Sequence, residues 1–417
     1  MSEAKVRPGS VVVLGGGAAG MIAAWRAASL GKAVTLLEAN GRLGVKIRIS
    51  GGGKCNVTHA GSAKVLLEAF RKEQARFLRP AFHVFGSEDL RALLQRLGVD
   101  TYERENGRVF PQDRPGSAGE VVAALEQLLQ RSGVQVRMGA RVCGLIGVAP
   151  RLEAMVLEDG SWVRAESFVL ATGGASYPET GTRGELLETL RGLGVPVNAW
   201  FPALAPVALM VPRPEWEGVA LREGALQLRA GKKGKRLAEF AGDVVFTKNG
   251  ISGPAALELS RDIEKARRSG AAWLGYELIA SSEESLDAEL LELQQGNPHL
   301  AVRTWLQKVL PARLSPFAMT TLALPSDQRM KDLPREARRA LVALVKAFPL
   351  GEPRSVSLAR GEVVSGGVSL KAIDPHTMAL KGWDNVRICG ELLDIDGPIG
   401  GYNLQAAFST GYLAGGA

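Results

Sequence analysis

The strongest constraint on this chain is Gly15-Gly16-Gly17-Ala18-Ala19-Gly20, a G-x-G-x-x-G run between an apolar stretch and an Ala-rich one. Residues 10–15 read as a short buried strand, Ala18 to Leu30 as a helix and Ala33 to Leu37 as a second strand. Strand, turn, helix and strand in so short a span make a mononucleotide-binding unit. Gly15 permits the tight turn, Gly17 lets a pyrophosphate approach the backbone, and Gly20 lets helix and strand pack closely. The free N–H groups of the helix start, at Ala18 and Ala19, face the anion. A lone G-x-G-x-x-G is a weak signal. Glu38 strengthens it, because it ends the next strand eighteen residues after Gly20, near the spacing of about 20 expected of a ribose-binding carboxylate. The alternative is a Gly-rich loop in an unrelated α/β fold.

Three further segments have the same small-residue character. Ser50-Gly51-Gly52-Gly53-Lys54-Cys55-Asn56 makes poor core and poor helix, but suits backbone N–H groups wrapping an anion, with Lys46 and Lys54 supplying charge. A flexible surface loop is the alternative. Phe168 to Leu170 reads as a buried strand running into Ala171-Thr172-Gly173-Gly174, a second turn beside the same nucleotide or an ordinary strand end. In the tail, the strand Asn385–Cys389 ends at Gly390-Glu391, a loop with Asp394 and Asp396 follows, and Gly400-Gly401 precede a helix starting near Asn403. The two aspartates lack further ligands at cage spacing, so no metal is expected. Cys55 has no partner at C-x-x-C spacing, which points to packing or cofactor contact rather than a redox dithiol. His59 reads as a solvent-facing turn residue.

At 417 residues, two or three domains are expected. Helical periodicity runs through residues 62–97 and Gly119 to Gln130. Short strands follow at Val134–Met138, Val142–Ile146, Leu152–Leu157 and Ser167–Leu170. Beyond Leu190 the character changes: residues 196–280 read as a small all-β insert, barrel or sandwich, and 283–348 as helical. The expected organisation is a dinucleotide-binding domain at 1–190 and 366–417, a β-rich insert at 191–282 returning at 350–365, and a helical subdomain at 283–349. Lys5, Arg7 and the apolar Val11–Leu14 imitate a signal peptide, but Gly15–Gly17 break the run, and no stretch of about 18 apolar residues exists. The three cysteines, Cys55, Cys143 and Cys389, lie far apart, which suits a reducing cytoplasm. The net charge of +8 is small for this length, so nucleic acid is not an expected partner. The run Lys232-Lys233-Gly234-Lys235-Arg236 reads as a solvated hairpin tip, because no aromatic accompanies it in sequence.

Taken together, Gly15–Gly20 with Glu38, residues 50–56, Ala-Thr-Gly-Gly at 171–174, Phe-Thr-Lys-Asn-Gly-Ile-Ser-Gly-Pro at 246–254, Gly-Gly-Val-Ser-Leu at 366–370 and residues 390–405 resemble the bacterial BaiN-like flavoproteins, NAD(P)/FAD-dependent oxidoreductases. The resemblance spans nearly the whole chain. It implies a Rossmann-like, glutathione-reductase-type α/β FAD domain interrupted by a β-barrel-like insert and a helical subdomain. By the same resemblance Glu38 holds the adenosine ribose, residues 51–56 pass close to pyrophosphate and flavin, and backbone near Val142 meets the adenine. Thr172 and Gly173 border the same nucleotide, and Gly390, Glu391 and Gly400–Asn403 approach the ribityl chain and isoalloxazine. Position 54 is Lys where the family more often has Arg, which keeps charge and loses bidentate contact.

The leading function is an FAD-dependent oxidoreductase acting on a small organic substrate held between the FAD domain and the insert, with NAD(P)H as a transient donor. No catalytic triad is present, and none is needed where the flavin carries the chemistry. No second G-x-G-x-x-G marks a separate nicotinamide domain. A flavoprotein acting on RNA and a non-catalytic flavin-binding protein are the alternatives. Substrate and oligomeric state have no motif. The helix start near Asn403 is expected to aim its N–H groups at the flavin and stabilise its reduced form, with Gly401→Asp as a variant that alters the potential while the fold survives.

Overall fold

The computed structural model describes residues 7–112, 116–270 and 272–416. Lys5, part of the leader-like start, lies outside the described residues. The chain forms two compact units, one running to Trp200 and resuming at Glu362, the other Phe201–Gly361.

In the first unit, Ser10–Leu14 is the middle strand of a five-stranded sheet ordered Val386–Ile388, Ser167–Leu170, Ser10–Leu14, Ala33–Leu37, Gln135–Arg137. Every neighbouring pair is parallel. Parallel strands are covered on both faces, so they are continuously apolar rather than alternating. Accordingly Val12, Val13, Phe168, Val169 and Leu170 are all buried. Between Gln135–Arg137 and Ser167–Leu170 the chain makes a three-stranded antiparallel sheet, Val142–Val148, Arg151–Leu157 and Trp162–Val163. The helical periodicity of 62–97 resolves into Ala63–Glu68, Lys72–Val84 and Ser87–Arg96.

The helix Ala18–Ser29 packs on the last helix, Tyr402–Gly416, through glycine. A Cβ on Gly411 would lie 2.3 Å from the Ala19 carbonyl oxygen, and one on Gly415 2.2 Å from that of Ala23. Backbones this close leave no room for side chains, so the beginning and end of the sequence lock into one core.

The second unit holds two antiparallel sheets. One joins Val207–Leu209, Ala220–Leu221, Val244–Thr247, Gly250–Ser252 and Pro353–Val356; the other joins Ala225–Ala230, Arg236–Ala241, Ala272–Glu277 and Phe348–Gly351. Helices Glu283–Gly296, Val302–Leu306, Ser315–Thr321 and Arg335–Lys346 follow the helical pattern of 283–348. The all-β expectation for 196–280 is corrected, because Pro254–Arg268 is a fifteen-residue helix. Its buried residues Ala255, Ala256, Leu259, Ile263 and Ala266 recur at helical spacing, and Pro254 sits at its first turn where a missing N–H costs nothing.

Candidate functional site

Four adjacent strands of the parallel sheet run into small-residue or acidic turns at their carboxyl ends. Leu14 leads to Gly15, Leu37 to Glu38, Leu170 to Ala171-Thr172-Gly173, and Ile388 to Cys389-Gly390. Ligands of open α/β sheets bind at this edge. The turns touch: a Cβ on Gly15 would lie 2.4 Å from the Ala171 carbonyl oxygen, and one on Gly390 would lie 2.8 Å from the Ala19 Cβ.

Gly15 has a φ of +105°, which only glycine adopts readily. A Cβ on Gly20 would lie 1.8 Å from the Gly15 carbonyl oxygen, whereas one on Gly17 would meet nothing within 4 Å. The two outer glycines are thus needed for packing, and the middle one faces open space. Gly17 caps Ala18–Ser29 with no side-chain hydrogen bond, although Ala18, Ala19 and Gly20 are buried. A buried helix start without a cap suits an anion.

Glu38 is also buried. Its Oε2 accepts from Gly16 N at 2.7 Å; its Oε1 accepts from Asn40 N at 2.8 Å and Asn40 Nδ2 at 2.6 Å. Asn40 Nδ2 also donates to the Thr180 carbonyl at 3.0 Å, and Ala140 N donates to the Glu38 carbonyl at 2.8 Å. Two residues beyond Ala140, Val142 begins its strand opposite Leu157. A polar cavity of about 330 Å³ opens nearby, lined by Arg141, Glu158, Pro178, Gly181, Arg183 and Glu185. Neither Asn40 nor this cavity follows from the motifs, although an Asn two residues past a strand-ending Glu is a local signal for a side chain that braces the turn.

The loop after the short helix Val45–Ile49 places Gly51, Gly52 and Gly53 at φ of +56°, +68° and +84°, with nothing within 4 Å of a Cβ on Gly52. Lys46 is not a free charge: its Nζ donates to Ser176 Oγ at 2.5 Å and to Glu391 Oε2 at 2.6 Å. Glu391 Oε1 accepts from Ser176 Oγ at 3.2 Å and Val364 N at 2.9 Å. The expectation that Lys46 offers its charge to a phosphate is therefore corrected: it and Glu391 neutralise each other and tie the glycine loop to the tail. Lys54 contributes its carbonyl to Ser117 Oγ at 3.2 Å. Cys55 is fully buried, and burial pushes its thiol up to about 12 against the lowering effect of Ser50.

In the orientation its neighbours dictate, the Asn56 amide accepts from Gly401 N at 3.0 Å and donates to the Thr58 and Val109 carbonyls at 3.0 Å each. Gly401 therefore spends its N–H on the protein, and the expectation that it points at a ligand is corrected. The expected tolerance of Gly401→Asp fails too, because a Cβ there would sit 2.3 Å from the Thr58 carbonyl oxygen. Gly400, at φ +138°, packs on the Tyr402 ring, and Asn403 braces its own loop through Gly397 N at 2.8 Å and the Gly397 carbonyl at 2.9 Å. His59 is a strand residue, not a solvent-facing turn residue, and stacks on Tyr402 at 4.7 Å and 16°. Asp396 is paired with Arg71 and accepts from Gln74 at 3.0 Å, while Asp394 accepts from Gly366 N at 2.9 Å and Asn198 Nδ2 at 2.7 Å. Both acids brace loops. One buried hydroxyl stands out here, since Thr172 Oγ1 has no hydrogen-bond partner. An open glycine cradle, an uncapped buried helix start, a carboxylate at the second strand and an orphaned hydroxyl together fit a bound dinucleotide.

Fold and turns define a Rossmann-type FAD-binding protein, and the relatives that follow support its class as an FAD-dependent oxidoreductase. Residues 9–417 match the family described as the HI0933-like protein Rossmann domain, and the chain belongs to that family. It is 29% identical over 410 residues to the 3-dehydro-bile acid delta(4,6)-reductase of Clostridium scindens, covering 97% of each chain. It is 25% identical over 412 residues to a ribosomal RNA dihydrouridine synthase of Haemophilus influenzae, covering 96% of each. In fold it is similar to the 3-ketosteroid-delta4-(5alpha)-dehydrogenase of Rhodococcus jostii RHA1, at TM-score 0.55 and 17% identity over 97% of this chain and 95% of that one. No helix among the described residues is long and apolar enough to cross a membrane.

Proposed function

We propose that the protein is a reductase that moves a hydride between bound FAD and a small organic substrate, with NAD(P)H as the transient donor. The observation that carries this is the convergence of four turns at the carboxyl ends of four adjacent parallel strands. In this reading the N–H groups of Gly17, Ala18, Ala19 and Gly20 hold the pyrophosphate, and Glu38, aimed by Gly16 and Asn40, takes the ribose. Backbone at Val142 borders the adenine. The Thr172 hydroxyl, Gly173, Gly390 and the open face of Gly51–Gly53 line the remainder, with Lys54, Cys55 and Asn56 shaping that loop. Lys46 and Glu391 hold the glycine loop against the tail, and Gly400, Gly401 and Asn403 fix the tail itself. Bound FAD supplies hydride transfer; the protein supplies binding, orientation and exclusion of water. Residues 1–190 and 366–417 form the cofactor-binding body in this reading, with 191–365 as an insertion, and three unpaired cysteines suit a reducing cytoplasm.

The relatives' names narrow the substrate. A delta(4,6)-reductase of a 3-dehydro compound and a dihydrouridine synthase both add hydrogen to a carbon–carbon double bond conjugated with a carbonyl. We read the substrate class here as such a conjugated double bond. The test is anaerobic: bound flavin is reduced with NADH or NADPH and mixed with a panel of cyclic enones and uridine derivatives. Reoxidation with a saturated product is expected, and the nucleotide released on denaturation is FAD. Release of FMN alone, or flavin that neither donor reduces, sinks the reading. A second reading places the double bond in an RNA base. It is favoured by the uneven distribution of positive charge in the second unit.

A further inference from the structure

Two basic stretches far apart in sequence meet at one end of the second unit. Strands Ala225–Ala230 and Arg236–Ala241 form a hairpin whose tip carries Lys232, Lys233 and Lys235. The helix Pro254–Arg268 ends in Lys265, Arg267 and Arg268. The chain then enters strand Ala272–Glu277, whose Ala272 pairs with Ala230 at the root of the hairpin tip. Hairpin tip and helix end therefore share one end of the sheet. Residues 229–240 and 261–273 hold nine basic side chains and three acidic ones, Glu239, Asp262 and Glu264. That local excess is most of the whole chain's +8.

The acids are already engaged. Glu239 pairs with Arg236, and Glu264 bonds Arg267 and Arg268 at 2.8 Å each. No ion pair holds Lys232, Lys233 or Lys235 among the described residues. A helix end collects cations for dipole reasons alone, but that does not account for the hairpin. Aromatic faces lie between the charges. Lys232 Nζ sits 5.6 Å over Trp273, which is opposite Arg229 in the neighbouring strand, and Arg268 lies 4.6 Å over Phe201. Arg236–Ala241 is the sheet's edge strand, with Leu237 and Phe240 exposed. The absence of an aromatic platform inferred from sequence is thereby corrected: Trp273 comes to the lysines from another strand.

We propose that this end of the second unit is an RNA-docking surface. Phosphates of a single-stranded loop lie along Lys232, Lys233 and Lys235 and reach Lys265 at the helix end, and a base stacks on Trp273. Basic side chains tracking a backbone beside an aromatic face are the combination that binds single-stranded nucleic acid. This rests on the second reading above, in which the reduced double bond belongs to an RNA base.

The experiment uses the full-length, FAD-loaded protein and a fluorescein-labelled ribosomal RNA hairpin with a uridine-containing loop, with DNA of the same sequence and heparin alongside. The variant Lys232→Glu/Lys233→Glu/Lys235→Glu should bind RNA at least tenfold more weakly and with a shallower salt dependence, by about 2 in log–log slope. Trp273→Leu should weaken RNA several-fold and leave the slope unchanged. Flavin content and absorbance spectrum report that both variants fold. Wild-type affinity in the triple variant overturns the proposal, and so does heparin or DNA binding as tight as RNA with no effect of Trp273→Leu. RNA that binds through these residues but is not reduced sinks the RNA-base reading and leaves the surface standing. RNA reduced equally well by the triple variant does the reverse.

Discussion

The carboxylate of Glu38 accepts three hydrogen bonds from its own chain, from Gly16 and twice from Asn40, so about one of its four lone-pair directions remains for a ligand. Its burial makes that last direction valuable, since an unmet charged acceptor there is costly. Glu38→Ala should weaken FAD by about 1–3 kcal/mol, roughly 5- to 150-fold in Kd, by flavin-fluorescence titration of the apo-protein. Unchanged affinity removes Glu38 from the site. The thiols give a second check. Cys55 and Cys389 are buried, and burial raises both thiols, whereas Cys143 is exposed. The thiolate is the reactive form, so native protein at pH 8 should titrate one thiol with a disulfide reagent and unfolded protein all three. Glu38 was legible because its spacing from Gly20 is a local count. Asn40, two residues past Glu38, carried a local signal that the motifs do not include, whereas Ser176 and the His59–Tyr402 stack were not legible, because their partners lie elsewhere in the chain and no spacing encodes them.

At the scale of elements, the glycines divide into those that packing demands and those that open space leaves free. Gly17 has an ordinary φ of −84° and nothing within 4 Å of a Cβ. Gly17→Ala should lower apo-protein stability by no more than about 1 kcal/mol, the cost of a poorer N-cap where the added carbon meets no neighbour, yet lower FAD affinity measurably. If affinity holds, the space above Gly17 is not where the pyrophosphate lies. Gly401→Ala is the contrasting case. At φ +92° and with Thr58 backbone 2.3 Å from the added carbon, it should lower the Tm and lose flavin together. The strands of the parallel sheet were legible as apolar runs, and the helix after Gly17 as an Ala-rich one. Pro254–Arg268 was hidden because the Gly-Pro at its start reads equally well as a turn.

For the whole molecule, the sheet draws its strands from both ends of the sequence. A chain truncated after Ser365 lacks Val386–Ile388 and the helix Tyr402–Gly416. It therefore loses the neighbour of Ser167–Leu170 and the close partner of Ala18–Ser29. Such a chain should hold no FAD after gel filtration; tight binding refutes the reading of 191–365 as an insertion. That the tail returns to the first sheet was legible only as a repeat of character, a strand, glycine and helix. Which strand it joins is a matter of pairing geometry, which apolar runs of equal length leave open.

The position of Val386–Ile388 beside Ser167–Leu170 also sets an order of events on the ribosome. Ser167–Leu170 leaves the exit tunnel with the backbone N–H and C=O groups of one edge unpaired, and its neighbour is made only after all of Phe201–Gly361. At about 5–20 residues per second that interval is roughly 10–40 s. The second unit has time to fold within it, while the nucleotide edge of the first stays unfinished. The carboxyl edge of the sheet is therefore complete only at the end of synthesis, and an open strand edge held for that interval is one that a growing chain needs shielded from pairing with its neighbours.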